Sequence, residues 1–540
     1  MSDTWHRRDV LRVAGGLLLA GDLLPAAETG DRGRVVGQPQ AAQVGADVLA
    51  AGGNAVDAVV AAALTAGVVA VYSCGIGGYG GHMVLALRGK KVTAIDFNSA
   101  APAAAKPDLF PLDDKGQVKD RVNAYGWLAA GVPGTLAGLQ LALDRFGTMP
   151  FAKLVQPAIR FARDGFPVTK AVAAATRSTR AWLLKDPASA RLLLRKGEPL
   201  QPGSTFKNPE LADLLQTLAE RKSVESFYRG DVAKRVAAAF RKNGGLVTFE
   251  DLKAYQAREV EPYALTWRGQ TICTAPLTAG GLTVLEALHV LKVLGWESRP
   301  ADDVKAARMK LEALRLVWDD RLKRLGDPEK AKVPVGRLLS AKHAKALAAR
   351  VEKALKEGKP ARAETDGRPA DGTIHLSAAD AEGNLVALTL THGEAFGARV
   401  TVDGLGLVLG HGMSRFDPRP GRPNSVGPGK RPLHNMCPTV VVRDGAAVLA
   451  VGATGGRRIP NTVFEVLANF VGRGATLEEA VAAPRKHTEG GLEVTAEART
   501  PAAEVDDLKK VGYVVKAGPG ATVQAVAFDP KTGTSRGASR

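Results

Sequence analysis

Asp371-Gly372-Thr373-Ile374-His375-Leu376-Ser377 is the stretch around which the chain is organised. It reads as the opening of a strand. Thr373, His375 and Ser377 fall on one face and Ile374 and Leu376 on the other, the period-two alternation of a pleated ribbon. Upstream, residues 356–371 are polar and rich in Gly, Pro and charge, which predicts an exposed loop. Downstream, Asp380-Ala381-Glu382-Gly383-Asn384 predicts a hairpin turn into a second strand over 385–391. A threonine at such a junction can simply be a β-branched strand former. It also has a second chemistry. Its hydroxyl is a weak nucleophile, which a freed α-amine on the same residue could activate.

Beyond Thr373 the pattern is rich in strands, expected over 374–378, 385–391, 400–402, 406–409, 439–443, 446–452, 514–517 and 523–529. Helices are expected over 461–472 and 476–483. Residues 417–432 form a long Pro/Gly-rich loop, either a functional lid or a disordered surface turn. Before Thr373, residues 40–51 read as a helix stopped by Gly52-Gly53-Asn54, and 55–71 as a helix apolar on every side and therefore buried. The run Gly75-Ile76-Gly77-Gly78 precedes a strand at 83–87, with another at 93–97. A phosphate loop needs a helix next, so this run reads as close backbone packing at a turn. Residues 131–170 and 171–350 are mostly helical, and 267–274 is read as a lone hairpin arm. Strands, then helices, then strands fit a layered α/β sandwich.

Several of these stretches together resemble the γ-glutamyltranspeptidases, members of the N-terminal-nucleophile hydrolase superfamily. They are Thr373-Ile-His-Leu-Ser, Asp380-x-x-Gly-Asn and Phe396-Gly397, with Gly52-Gly-Asn-Ala-Val-Asp-Ala58, Gly75-Ile-Gly-Gly78, Gly131-Val-Pro-Gly-Thr135 and Gly452-Ala-Thr-Gly-Gly456 in the family's order. Phe146-Gly-Thr-Met-Pro150, Gln156-Pro-Ala158 and Ala162-Arg-Asp-Gly-Phe166 also fit. Each motif alone is weak; the ordered set, from about Val35 to the C-terminus, is specific.

The resemblance implies a four-layer αββα fold and a precursor cut between Gly372 and Thr373 into a large subunit, 31–372, and a small subunit, 373–540, that stay together as a heterodimer. It implies Thr373 as nucleophile with its own α-amine as base, Thr391 as the threonine that hydrogen-bonds it, and Gly455 and Gly456 as oxyanion donors. The substrate side departs from the family pattern. Asn98 stands where the family has an Arg for the glutamyl α-carboxylate, and Arg415 where it has an Asp for the α-ammonium. His434 and Asn435 replace two serines, and Gly393 replaces an Asn. A cation at position 415 repels an α-ammonium and attracts a carboxylate. Three readings follow: cleavage of γ-glutamyl amides such as glutathione with transfer to water or an amino acid; an amidohydrolase for dicarboxylic monoamides or glutaryl-type substrates; or a non-catalytic binding protein.

The remaining features set the context. The formal charge of +18 points toward polyanions, but the basic residues are spread through 177–241 and 305–368 with no nucleic-acid motif, so a basic surface is the better reading. Arg7-Arg8 before the apolar run 10–20 resembles a twin-arginine export signal over residues 1–30, too short to span a bilayer, and predicts a periplasmic or otherwise extracytoplasmic protein. Cys74, Cys273 and Cys437 do not make a disulfide framework, though one pair remains open. No Cys/His cluster has zinc spacing, and no cofactor or metal is expected.

Overall fold

The computed structural model describes residues 32–363 and 373–540. The expected export signal and the Gly372 side of the expected cleavage lie outside them. The strands and helices that build the sandwich are, in chain order, β1 (Gly33–Val36), α1 (Pro39–Ala50), α2 (Ala55–Val69), β2 (Gly80–Ala86), β3 (Thr93–Asp96), β4 (Arg258–Val260), β5 (Tyr263–Trp267), β6 (Gln270–Thr274), α3 (Gly281–Val293), α4 (Val304–Arg324), α5 (Ala341–Glu357), β7 (Ile374–Asp380), β8 (Leu385–Thr391), β9 (Thr439–Arg443), β10 (Ala446–Thr454), α6 (Arg458–Leu467), β11 (Thr522–Asp529) and β12 (Thr534–Ser539).

Two six-stranded sheets form, in the orders β1-β7-β8-β2-β3-β4 and β12-β11-β10-β9-β6-β5. Every pairing within them is antiparallel. The alternation read from Thr373 onward explains why β7 is central. Ile374, Leu376 and Ala378 join Val35, Val56 and Val60 in the core between the first sheet and its helices. Ala379 on the opposite face meets Val440, Ala450 and Val526 of the second sheet. The outer face of the second sheet, with Ile272, Leu449 and Val451, packs on α3, α4, α5 and α6. Helix, sheet, sheet, helix is the expected four-layer αββα order. His375 lies fully buried on the inter-sheet side, its ring nitrogens 2.7 Å from Thr389 Oγ1 and 2.9 Å from Ser377 Oγ. Burial without a charged partner pushes its pKa down to about 3.

The motifs acquire physical reasons here. Asn54 caps α2 in a box with Asp57. The Asp57 carboxylate then accepts from the backbone of Thr148 and Met149 and from the Thr148 hydroxyl, while Asn54 Nδ2 donates to the Phe146 carbonyl. The stretches 52–58 and 146–150 are therefore one joint. Asp380 accepts from Ala55 N, tying the end of β7 to the start of α2.

Three expectations change. Residues 267–274 are not a lone arm: β5 and β6 are joined at Arg268-Gly269, both at positive φ, and form the edge of the second sheet beside β9. The partner strand lies far along the sequence, so local pattern could not show it. The loop at 417–432 is tied rather than disordered. Asp417 N donates to the Asn424 carbonyl, Lys430 Nζ donates to the Pro423 and Ser425 carbonyls, and Arg431 is buried against Asp96. β12 was missed because Thr-Ser-Arg-Gly-Ala-Ser has little apolar alternation; it is an edge strand held by β11. The three cysteines are buried free thiols. Among the described residues, no helix is long and apolar enough to cross a membrane.

Candidate active site

Thr373 stands at the head of β7, beside the end of β8. Its Oγ1 lies 3.4 Å from Thr391 Oγ1, and Thr391, fully buried, accepts a 2.7 Å bond from Gly393 N. The glycine run supports this corner by backbone contact, as its sequence predicted. His392 N donates to the Ser73 carbonyl and Gly410 N to the Gly77 carbonyl. Thr373, Arg415, Asn435 and Gly456 line one recess together with Tyr79, Met436 and Ile459.

Gly455 and Gly456 occupy the turn between β10 and α6, at φ +136° and +60°. Side chains rarely adopt this backbone. It places the pair just ahead of the N-terminus of α6, where free N–H groups and the helix dipole favour negative charge. Such a corner can stabilise an oxyanion forming beside Thr373.

On the other wall, Arg415 is held by His411. His411 Nδ1 lies 3.1 Å from the Ala124 carbonyl, which can only accept, so Nδ1 carries the proton. Nε2 is then the acceptor for Glu394 N at 2.8 Å and Arg415 Nη2 at 3.1 Å. Burial, reinforced by the Arg415 charge, keeps this ring well below the usual histidine pKa and therefore neutral. Among the described residues Arg415 has no carboxylate partner, and its buried Nε makes no hydrogen bond. The Tyr79 hydroxyl reaches both Arg415 and Thr391; burial raises its pKa and the Arg415 charge opposes the rise.

Gly393 has no room for a side chain. Its φ is +101°, and a Cβ would sit 1.9 Å from the His411 ring. Gly393→Ala is expected to lower stability by about 2–3 kcal/mol and to loosen Arg415. Urea denaturation checks it, and an unchanged midpoint would refute the strained-backbone account.

Of the other expected substrate residues, Asn98 and His434 are buried outside the lining of the recess. Asn98 is fully buried; its Nδ2 donates to Thr278 Oγ1 at 2.6 Å and the Pro432 carbonyl at 2.8 Å, which ties two loops together. The His434 ring lies 4.8 Å from that of His82, and its Nδ1 accepts from Met436 N. Asn435 does reach the recess, and its orientation is fixed from below. Arg321 donates to the His434 carbonyl at 2.6 Å and to Asn435 Oδ1 at 2.9 Å, which leaves Asn435 Nδ2 as the outward donor. Sequence reasoning missed Tyr79, Arg321 and His411. Nothing in their local pattern marks them, because their role comes from contacts between distant segments.

The gamma-glutamyltranspeptidase family profile matches residues 41–539. The chain is 38% identical over 463 residues to the glutathione hydrolase proenzyme of Escherichia coli K12, covering 83% of this chain and 79% of that one. It is 35% identical over 520 residues to the acylase ACY 1 proenzyme of Pseudomonas sp. V22, covering 95% and 92%. The crystal structure of a cephalosporin acylase from Bacillus halodurans superposes with a TM-score of 0.84 at 28% identity, covering 96% of this chain and 94% of that one.

Proposed function

Because this chain belongs to the γ-glutamyltranspeptidase family, we propose that it is an exported precursor that cuts itself before Thr373 and then cleaves γ-glutamyl amides, glutathione among them, through an acyl-enzyme on Thr373. The observation that carries this reading is the placement of Thr373 against Thr391 and in one recess with Gly456. Residues 1–30 direct export, and 31–372 and 373–540 become the two subunits. The related proteins named as proenzymes support the processing step.

Processing frees the Thr373 α-amine. That amine accepts the hydroxyl proton, directly or through a water, as Oγ1 bonds to the substrate carbonyl carbon. Gly455 and Gly456 N–H groups receive the oxyanion; removing one such donor costs about 3–4 kcal/mol in comparable sites. The amide C–N bond then breaks and the proton passes to the leaving amine. Water or an amino acid attacks the ester and regenerates the hydroxyl. Thr391 orients the nucleophile.

A second reading is favoured by Arg415. The recess presents a guanidinium and the Asn435 amide, with no carboxylate among the described residues that line it. That combination suits a dicarboxylic or glutaryl acyl group better than one bearing an α-ammonium. Turnover of γ-glutamyl-p-nitroanilide against glutaryl-p-nitroanilide separates the two readings, and a clear preference for the glutaryl compound replaces the first by the second. Under either, Arg415→Asp is expected to move the ratio of kcat/KM toward the γ-glutamyl compound by roughly 100-fold, since the change reverses the charge beside the acyl group. An unchanged ratio would show that Arg415 does not meet the acyl group.

A further inference from the structure

Beside Arg321 in the chain, Asp320 of α4 converges with Glu286 of α3 and His343 of α5. His343 Nε2 lies 3.0 Å from Glu286 Oε1 and 2.9 Å from Asp320 Oδ2. A ring nitrogen carries at most one proton, so it cannot give a full hydrogen bond to both oxygens. Glu286 is 1% exposed, and its Oε2 has no hydrogen-bond partner among the described residues. Arg324 Nε occupies Asp320 Oδ1 at 2.5 Å, which leaves Oδ2 for the cluster. Two carboxyl groups and an imidazole thus face one another in a largely buried cluster.

We propose that Glu286, Asp320 and His343 bind a divalent first-row transition cation, zinc by ligand type. The three donor atoms lie within 4.8 Å of one another and come from three separate helices. Ligands about 2.1 Å from a tetrahedral ion stand roughly 3.4 Å apart, so the two nitrogen–oxygen separations already allow a shared ion with small side-chain movement. Imidazole with two carboxylates selects zinc or its neighbours over magnesium or calcium, which prefer oxygen ligands only. His343 is the partly exposed member, so its side is the entry path and the place for a water ligand.

The site has a position in the architecture. It joins α5, the last helix described before Thr373, to α3 and α4. The same two helices carry Thr283 and Arg321, which bond to each other while Arg321 holds the His434–Asn435 segment. The cation would clamp this layer of helices, and none of its three ligands lines the recess. Spacing along the sequence could not reveal it, because the ligands are far apart in the chain and include no cysteine.

The test uses the full processed protein without a polyhistidine tag, stripped with EDTA and dialysed against micromolar zinc chloride. Elemental analysis is expected to find one zinc per processed heterodimer that an excess of magnesium does not displace. His343→Gln and Glu286→Gln should each weaken uptake at least about tenfold. Zinc should raise the melting temperature of the wild type and of neither variant, and slow amide exchange in α5. Glu286→Gln keeps the shape of the side chain, so it serves if His343→Gln folds poorly. Zinc uptake equal in wild type and both variants, or none in the wild type, overturns the proposal.

Discussion

Thr373→Ala protein is expected to remain one uncut chain and to turn over the p-nitroanilide substrates at least about 10⁴-fold more slowly than the wild type. Both losses have one cause. The hydroxyl that would attack the Gly372 carbonyl during processing is the hydroxyl that would attack substrate afterwards, and alanine removes it. Thr373→Ser keeps the oxygen and is expected to process and turn over, more slowly, because the methyl group that helps fix χ1 is gone. Thr391→Ala leaves the nucleophile in place but unoriented, and should slow both steps by a smaller factor. Intact-mass spectrometry reads the processing, and initial rates read the turnover. If the Thr373→Ala chain still splits before residue 373, the attacking group lies elsewhere and the assignment of Thr373 falls.

Lowering the pH from 7 to 5 is expected to remove on the order of 5 kcal/mol of folding stability. The source is a set of histidines buried as neutral rings. Burial pushes His375 and His392 down to about 3 and His82 to about 4, and holds His411 and His434 well below their usual value. In the unfolded chain each of these rings takes up a proton below about pH 6.5. The unfolded state therefore binds more protons than the folded one, and stability falls as pH drops from 6.5 toward 4. Above 6.5 the contribution is flat. Two groups oppose the trend. In the metal-free protein Glu286, raised by burial, and His343, raised by its bond to Glu286, keep protons in the folded state and gain stability as pH falls. Asp96 adds its own loss at lower pH: against its burial, the charges of Arg431, His82 and Arg258 hold its carboxyl far below the usual range, so its contribution fades only below about pH 4. Urea midpoints of the uncut Thr373→Ala chain at pH 7, 6 and 5 measure the net effect. Equal midpoints would mean that these rings gain protons inside the folded protein.

Much of the architecture is legible in the residues because the buried strands are nearly pure apolar runs between clear turns. The bounds read for 385–391 and 439–443 match β8 and β9. The same physics explains the failures. β12 is polar, and its place is set by the backbone of β11. β5 and β6 find their sheet through a partner far along the chain. At the site, Thr373, Thr391 and the glycine pair were readable through ordered motifs, and the structure gathers them. Asn98 and His434, expected at the substrate, are buried outside the lining of the recess and bond to neighbouring loops. His411 was invisible, because what matters about it is the carbonyl of Ala124 on one ring nitrogen and Arg415 on the other.

The strand order of the first sheet carries a consequence for the cut protein. β7 and β8 sit side by side between β1 and β2, so strands from both sides of residue 373 share one hydrogen-bonded sheet. The second sheet is divided in the same way, with β6 of the first segment paired to β9 of the second. Cutting one bond therefore creates two polypeptides that never had separate folds. Their separation is unfolding, and dilution to any practical concentration leaves the pair intact. Activity per mole should be independent of protein concentration, and the two pieces produced from separate genes should be insoluble alone.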